Sequence, residues 1–181
     1  MDKTAKEGSY TSLVIVMLVS LAIAGLWDAV PAIKIFVHSI LTPSAGALLN
    51  WQLTLGMTII VIILSLFTVI IQKYATDQET LKEMKKEQKI LQLEMKKYKD
   101  DPQKVMELQK KSFEFIPKTM KLTTRSIAYT AVPLILLFRW FMDFFEALGD
   151  PKFLGFLSWF WFYLITFMIF SSIIKKIMKV V

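Results

Sequence analysis

The chain has 181 residues, of which 55% are hydrophobic and 20% charged; its formal net charge is +7 and it has no cysteine. A soluble domain carries about 45–50% apolar and about 25% charged residues. Here the apolar surplus falls in long uncharged runs around one charged block, which excludes an ordinary soluble enzyme, a disordered tail and a nucleic-acid reader, and leaves an integral membrane protein with one soluble module.

The first uncharged run, residues 8–27, lies between Glu7 and Asp28 and is long enough to span a bilayer. Its core also resembles that of a signal peptide, with Ala22-Ile23-Ala24 as a small-residue cleavage site, but the leading Asp2, Lys3, Lys6 and Glu7 sum to neutrality. A retained anchor is the favoured reading. In residues 30–41, Val30, Ile33, Val37, Ile40 and Leu41 recur at helical spacing, with Lys34 and His38 one turn apart on another face. This pattern suits a helix lying in the membrane interface. Pro31 reads as its start and Thr42-Pro43-Ser44 as its stop. His38, the single histidine, reads as an interfacial polar residue, and no metal or other cofactor is implied.

The second run, residues 51–71, opens on Trp51, a plausible interface anchor. A charged block follows. The third apolar segment starts near Leu122 or Arg125 and ends between Met142 and Leu148. Gly149-Asp150-Pro151 is a turn signal. The fourth run, residues 153–174, is closed by Lys175, Lys176 and Lys179. The expected fold is an all-α integral membrane protein: three core transmembrane helices with a cytosolic antiparallel coiled-coil hairpin, plus an N-terminal hydrophobic helix and an interfacial amphipathic helix. The expected divisions are an anchor at 1–29, the interfacial helix and loop at 30–50, a core helix at 51–72, the hairpin at 73–121, and two core helices with a basic tail at 122–181.

Residues 73–125 hold 14 Lys+Arg against 9 Asp+Glu, while Asp143, Glu146 and Asp150 outnumber Lys152 in the turn. Basic loops stay inside, so the hairpin and C-terminus are expected in the cytosol, at the plasma membrane. Within the block, Leu81, Met84, Gln88, Leu91, Met95 and Tyr98 are spaced 3, 4, 3, 4, 3, a heptad seam. Asp101 caps a new helix with Pro102 at its first position, and Val105, Leu108, Ser112 and Phe115 continue the stripe. The outer face is rich in lysine: Lys82, Lys85, Lys86, Lys89, Lys96, Lys97, Lys99 and Lys104, with Lys110 and Lys111. These residues form either a solvated surface or a docking face for an RNA-rich partner, since lysine–phosphate contacts give sequence-independent affinity.

Inside the apolar runs, Thr54, Thr58, Ser65, Thr68 and Gln72 share one helical face. The next helix has Thr123, Ser126 or Ile127, and Thr130, then Pro133; the last has Tyr163 and Thr166. Two readings fit: close helix packing, or a hydrated groove that takes a polar guest. Arg139 lies 14 residues after Arg125, in the far half of its helix. It either snorkels outward to Asp143 or turns its charge into the groove. Catalytic constellations are absent, so no enzyme is expected.

A helix ending in a cytosolic helical hairpin and followed by two more membrane helices resembles the YidC/Oxa/Alb membrane-protein insertases, above all their small archaeal YidC-like relatives. The local signature is Tyr98-Lys99-Asp100-Asp101-Pro102-Gln103-Lys104 with Glu107-Leu108, similar to the hairpin tip of bacterial members. Those members have five core helices, and their groove arginine precedes the hairpin, whereas Arg139 follows it, so that role does not transfer by position. The resemblance implies an insertase or membrane chaperone acting in the lipid bilayer. Nascent membrane-protein chains would dock at the hairpin, with the ribosome (rRNA) and other insertase or translocon subunits as further partners. A guest would then pass along the groove lined by Thr54, Thr58, Ser65, Thr68, Gln72, Ser126, Thr130, Arg139, Tyr163 and Thr166. A structural tether is the competing class; a channel or transporter subunit fits less well.

Overall fold

The computed structural model describes residues 10–180; the leading charges Asp2 to Glu7 lie outside them. In order, the elements are α1 (Tyr10–Leu26), α2 (Pro31–Leu41), a π-helical turn (Thr42–Gly46), α3 (Ala47–Trp51), α4 (Leu53–Ala75), α5 (Gln78–Lys97), α6 (Pro102–Phe113), α7 (Phe115–Ala147) and α8 (Trp159–Met178). The protein is an all-α integral membrane protein. Among the described residues, four helical stretches (α2–α3, α4, α6–α7 and α8) are long and apolar enough to cross a membrane, and α1 is a shorter apolar helix.

α7 is the spine. α1 packs along it. Trp27, just past the end of α1, bonds Asp143 near the end of α7, so the two helices run parallel. α4 packs on α7 and more extensively on α8. α7 and α8 meet through large rings: Phe138 lies edge-on to Tyr163 at 4.8 Å, and Phe145 stacks on Trp159 at 5.6 Å.

The stop expected at Thr42-Pro43-Ser44 does not occur. Pro43 has no N–H, so an α-helical bond is lost there, but the chain widens into a π turn rather than ending. Ser44 Oγ donates to the Ile40 carbonyl at 2.6 Å, which satisfies a group in the disturbed ladder. The break comes ten residues later at Gln52, whose backbone is extended (φ −154°, ψ 114°). There α3 turns back tightly on α4: a β-carbon on Gly56 would lie 2.2 Å from the Leu48 carbonyl oxygen. Only glycine fits at that crossing.

α5 and the following helices form the projecting hairpin. Asp77 caps α5, accepting from the Glu79 and Thr80 N–H groups; as expected, Asp101 caps α6 through Gln103 and Lys104 N–H. Leu81, Met84, Gln88, Leu91 and Met95 are the sheltered positions of α5, while Tyr98 is exposed. Leu81 and Met84 pack with Leu122 and partly buried Phe115, which fixes the antiparallel direction. α7 begins at Phe115, ahead of the third apolar segment, and runs unbroken through 33 residues, about 50 Å; a helix carries apolar and basic residues in one rod without marking the membrane boundary. The fourth run also differs, because residues 153–158 form a turn and α8 starts at Trp159.

Candidate groove and the charged cluster at its closed end

The buried core is lopsided along the membrane axis. Its large side chains, among them Met57, Ile60 and Val61 on α4, Leu137, Trp140, Phe141 and Phe145 on α7, and Phe162 and Tyr163 on α8, all lie toward the acidic turn. Toward the hairpin, the buried positions are mostly small or hydroxylated: Ser65, Val69, Thr124, Ser126, Thr130 and Ser171. Ser65 and Ser171 lie twelve residues inward from the starts of α4 and α8, and Thr130 lies thirteen residues from Asp143. At 1.5 Å per residue each lies about 18–20 Å from its reference point. Three helices thus each place a buried hydroxyl past the aromatic packing, on its hairpin side.

Most of these hydroxyls are satisfied within their own helix. Thr58 donates to Thr54 O and Thr68 to Leu64 O, both at 2.8 Å. Thr130 donates to Ser126 O at 3.0 Å. Ser65 differs: it is 0% exposed and its Oγ has no hydrogen-bond partner. Thr54, Thr58, Thr68, Gln72 and Thr166 are half-buried. The Gln72 carbonyl accepts from Gln78 Nε2 at 2.9 Å, tying the end of α4 to α5. Of the pair Ser126 or Ile127, Ser126 is the buried one, and Thr124 is buried where Thr123 is only half-buried. Thr124 and Ser171 escaped the sequence reading, which had no way to choose between adjacent hydroxyls or to rotate α8. Tyr163 belongs to the packed end, between Phe138 and Phe167.

Arg139 does not pair with Asp143. Its Nη2 donates to Asp28 Oδ2 at 3.1 Å, and its guanidinium carbon lies 5.6 Å from the Trp27 ring centroid. Asp143 is taken by three other donors: Lys34 Nζ at 2.9 Å, Trp27 Nε1 at 3.0 Å and His38 Nε2 at 3.1 Å. Trp140 Nε1 donates to Thr42 Oγ1 at 3.2 Å. These bonds clamp the end of α1 and the whole of α2 to one short stretch of α7. Lys34 to Thr42 would span about 12 Å along α2, yet their partners Asp143 and Trp140 are only about 4.5 Å apart along α7, so α2 crosses α7 rather than running beside it. The arginine therefore serves the clamp at the packed end, not the hydroxylated half.

On the hairpin, Lys82, Lys85, Lys86, Lys89, Lys96, Lys97 and Lys99 are exposed and Lys104 is half-buried. Lys104 and Lys111 both bond Glu107, at 2.7 and 3.0 Å, and hold its carboxyl down at about 2; the same contact raises Lys104.

Residues 40–154, from the end of α2 through α4, the hairpin and α7, match the family model described as integral membrane protein EMC3/TMCO1-like. No curated protein and no solved structure matches the chain.

Proposed function

Because the chain belongs to the EMC3/TMCO1-like family of integral membrane proteins, part of the Oxa1/YidC/Alb3 insertase-related superfamily, we propose that it is a membrane-protein insertase or chaperone, of the short form seen in small archaeal YidC-like proteins. The carrying observation is the split core: aromatic packing closes the acidic-turn half, while α4, α7 and α8 bury the hydroxyls Ser65, Thr130 and Ser171 in the other half. In this reading a nascent chain, delivered by a ribosome, meets the basic hairpin in the cytosol, consistent with the excess of Lys and Arg there. Its apolar segment then enters beside α4 and α7 from the hairpin side. A polar flank that meets hydroxyls instead of lipid tails has less apolar thickness to cross, and its desolvation cost falls. No nucleotide takes part.

The test is insertion of a short-tailed membrane substrate into liposomes holding the purified protein. Insertion no greater than into empty liposomes would sink the proposal. A tether is favoured by one observation: Thr58, Thr68 and Thr130 already donate to their own backbones, as hydroxyls do in plain helix packing. Crosslinkers at positions 58, 65 and 130 separate the two, since an insertase gives nascent-chain products and a tether only intramolecular or lipid ones.

A further inference from the structure

The segment between α7 and α8 is folded tightly. Phe153 N–H donates to the Leu157 carbonyl at 2.7 Å, and the Phe153 carbonyl accepts from Phe156 and Leu157 N–H at 3.2 and 2.9 Å. The two central residues, Leu154 and Gly155, have φ of 51° and 86°. Turns with two left-handed residues favour asparagine or glycine at the first position, because a side chain crowds the backbone there. Leucine is a poor choice conformationally, so the side chain itself has to explain its presence. It does not pack within the chain: Leu154 is 64% exposed and Phe156 74%.

Phe153 is the opposite case, fully buried. It stacks on Phe162 at 4.8 Å and meets Phe145 edge-on at 5.6 Å. Phe162 is three residues inside α8, about 4.5 Å along its axis, and Phe145 is two residues from Asp143. The plug therefore holds the turn against the first turn of α8, a helix whose exposed residues include Phe160, Trp161, Ile165 and Met168. Leu154 and Phe156 add two exposed apolar side chains at the start of that helix, and clustered exposed apolar side chains mark a binding face.

We propose that the turn over residues 153–157 is a lipid wedge: Leu154 and Phe156 enter the boundary between acyl chains and headgroups in the leaflet at the acidic-turn end, while exposed Asp150 and Lys152 stay in the aqueous headgroup layer. The occupant is lipid because Phe153 pins the turn to the first turn of α8, a helix long and apolar enough to cross a membrane with Phe160, Trp161, Ile165 and Met168 exposed. The proposal does not depend on the insertase reading and holds for any function of a spanning bundle.

The cysteine-free chain allows a clean test with the full-length protein in phosphatidylcholine–phosphatidylglycerol liposomes. Nitroxide labels are placed at Leu154→Cys and Phe156→Cys, with Met168→Cys on the exposed face of α8 as the lipid reference and Gln109→Cys on the hairpin as the water reference. The labelled turn positions are exposed, so the label displaces no packed atom. Power-saturation measurements compare oxygen, which concentrates in lipid, with a water-soluble nickel chelate. The expected result is an oxygen-to-nickel accessibility ratio at 154 and 156 several-fold above that at 109 and approaching that at 168. A ratio equal to that at 109 overturns the wedge. Exclusion of both reagents, which would signal a protein partner or a second copy on the turn, overturns it equally.

Discussion

At the scale of single residues, Asp143 joins α2 and the end of α1 to α7. Three donors from two elements converge on it. Asp143→Asn removes the charge that holds Lys34, and hydrogen bonds to charged groups contribute about 1.5–3 kcal/mol each. The expected outcome is a destabilisation of about 2–3 kcal/mol, read as a lower unfolding midpoint in detergent, together with faster proteolysis in the α1–α2 connection. Arg139→Gln should act on the same connection through Asp28. Gly56 makes a second residue-scale prediction. A β-carbon 2.2 Å from a backbone oxygen forces α3 and α4 apart, so Gly56→Ala should cost at least about 2–3 kcal/mol, as overpacking does, measured by the same melt. Neither role is visible in sequence: Asp143 lies one turn from Arg139, and only the return of α1 and α2 to α7 shows that the acid is already occupied.

At the scale of elements, the hairpin is the part best written into local sequence. Its 3-4 stripe and its cap and proline start at Asp101 and Pro102 are short-range features; Asp101 and Pro102 start α6 as the sequence predicts, and the stripe is sheltered from Leu81 to Met95 and exposed at Tyr98. Asp101→Ala should lower hairpin stability by about 1 kcal/mol, the usual worth of such a cap, seen as increased amide exchange in residues 102–105. Glu107 offers a pH test. Its carboxyl is held at about 2 against an ordinary 4.5, so its two ion pairs are fully present above about 4.5 and are lost as pH falls toward 2. A carboxyl-carbon NMR titration should place its midpoint near 2, and Lys104→Met with Lys111→Met should return it toward 4.5. Elements governed by long-range packing were less legible. Pro43 reads as a stop, yet the helix absorbs it because α2 and the π turn are held against Trp140 and Phe144. The run beginning at Phe153 reads as helix by hydropathy, yet Phe153 is drawn into the core as a plug.

At the scale of the molecule, the division between an aromatic half and a hydroxylated half is what the proposed function uses. Removing the hydroxyls of the second half without adding volume tests it. Ser65→Ala combined with Thr130→Val should leave stability within about 1 kcal/mol or raise it, since an unpartnered buried hydroxyl is removed. It should also reduce insertion into liposomes several-fold. A packing-only role predicts unchanged insertion. Reversing Lys82, Lys85, Lys86 and Lys89 to glutamate should weaken ribosome association and flatten its dependence on salt, with insertion of a ribosome-free substrate preserved.

The sequence by itself determined the class of protein, the apolar runs, the start of α6 at Asp101 and Pro102, and the polar face of α4. All of these depend on composition, helical periodicity and short-range hydrogen bonding, which act within one or two turns. Only the tertiary structure decided which acid meets which base, which of two adjacent hydroxyls is buried, that α2 crosses α7, and that one turn exposes Leu154 and Phe156 while burying Phe153. The clamp depends on residues more than a hundred positions apart arriving at one place, Trp27, Asp28 and His38 at the far end of α7, and the turn depends on Phe145 and Phe162 closing around Phe153. Helical periodicity fixes the face a residue occupies, but not the neighbour that face will meet.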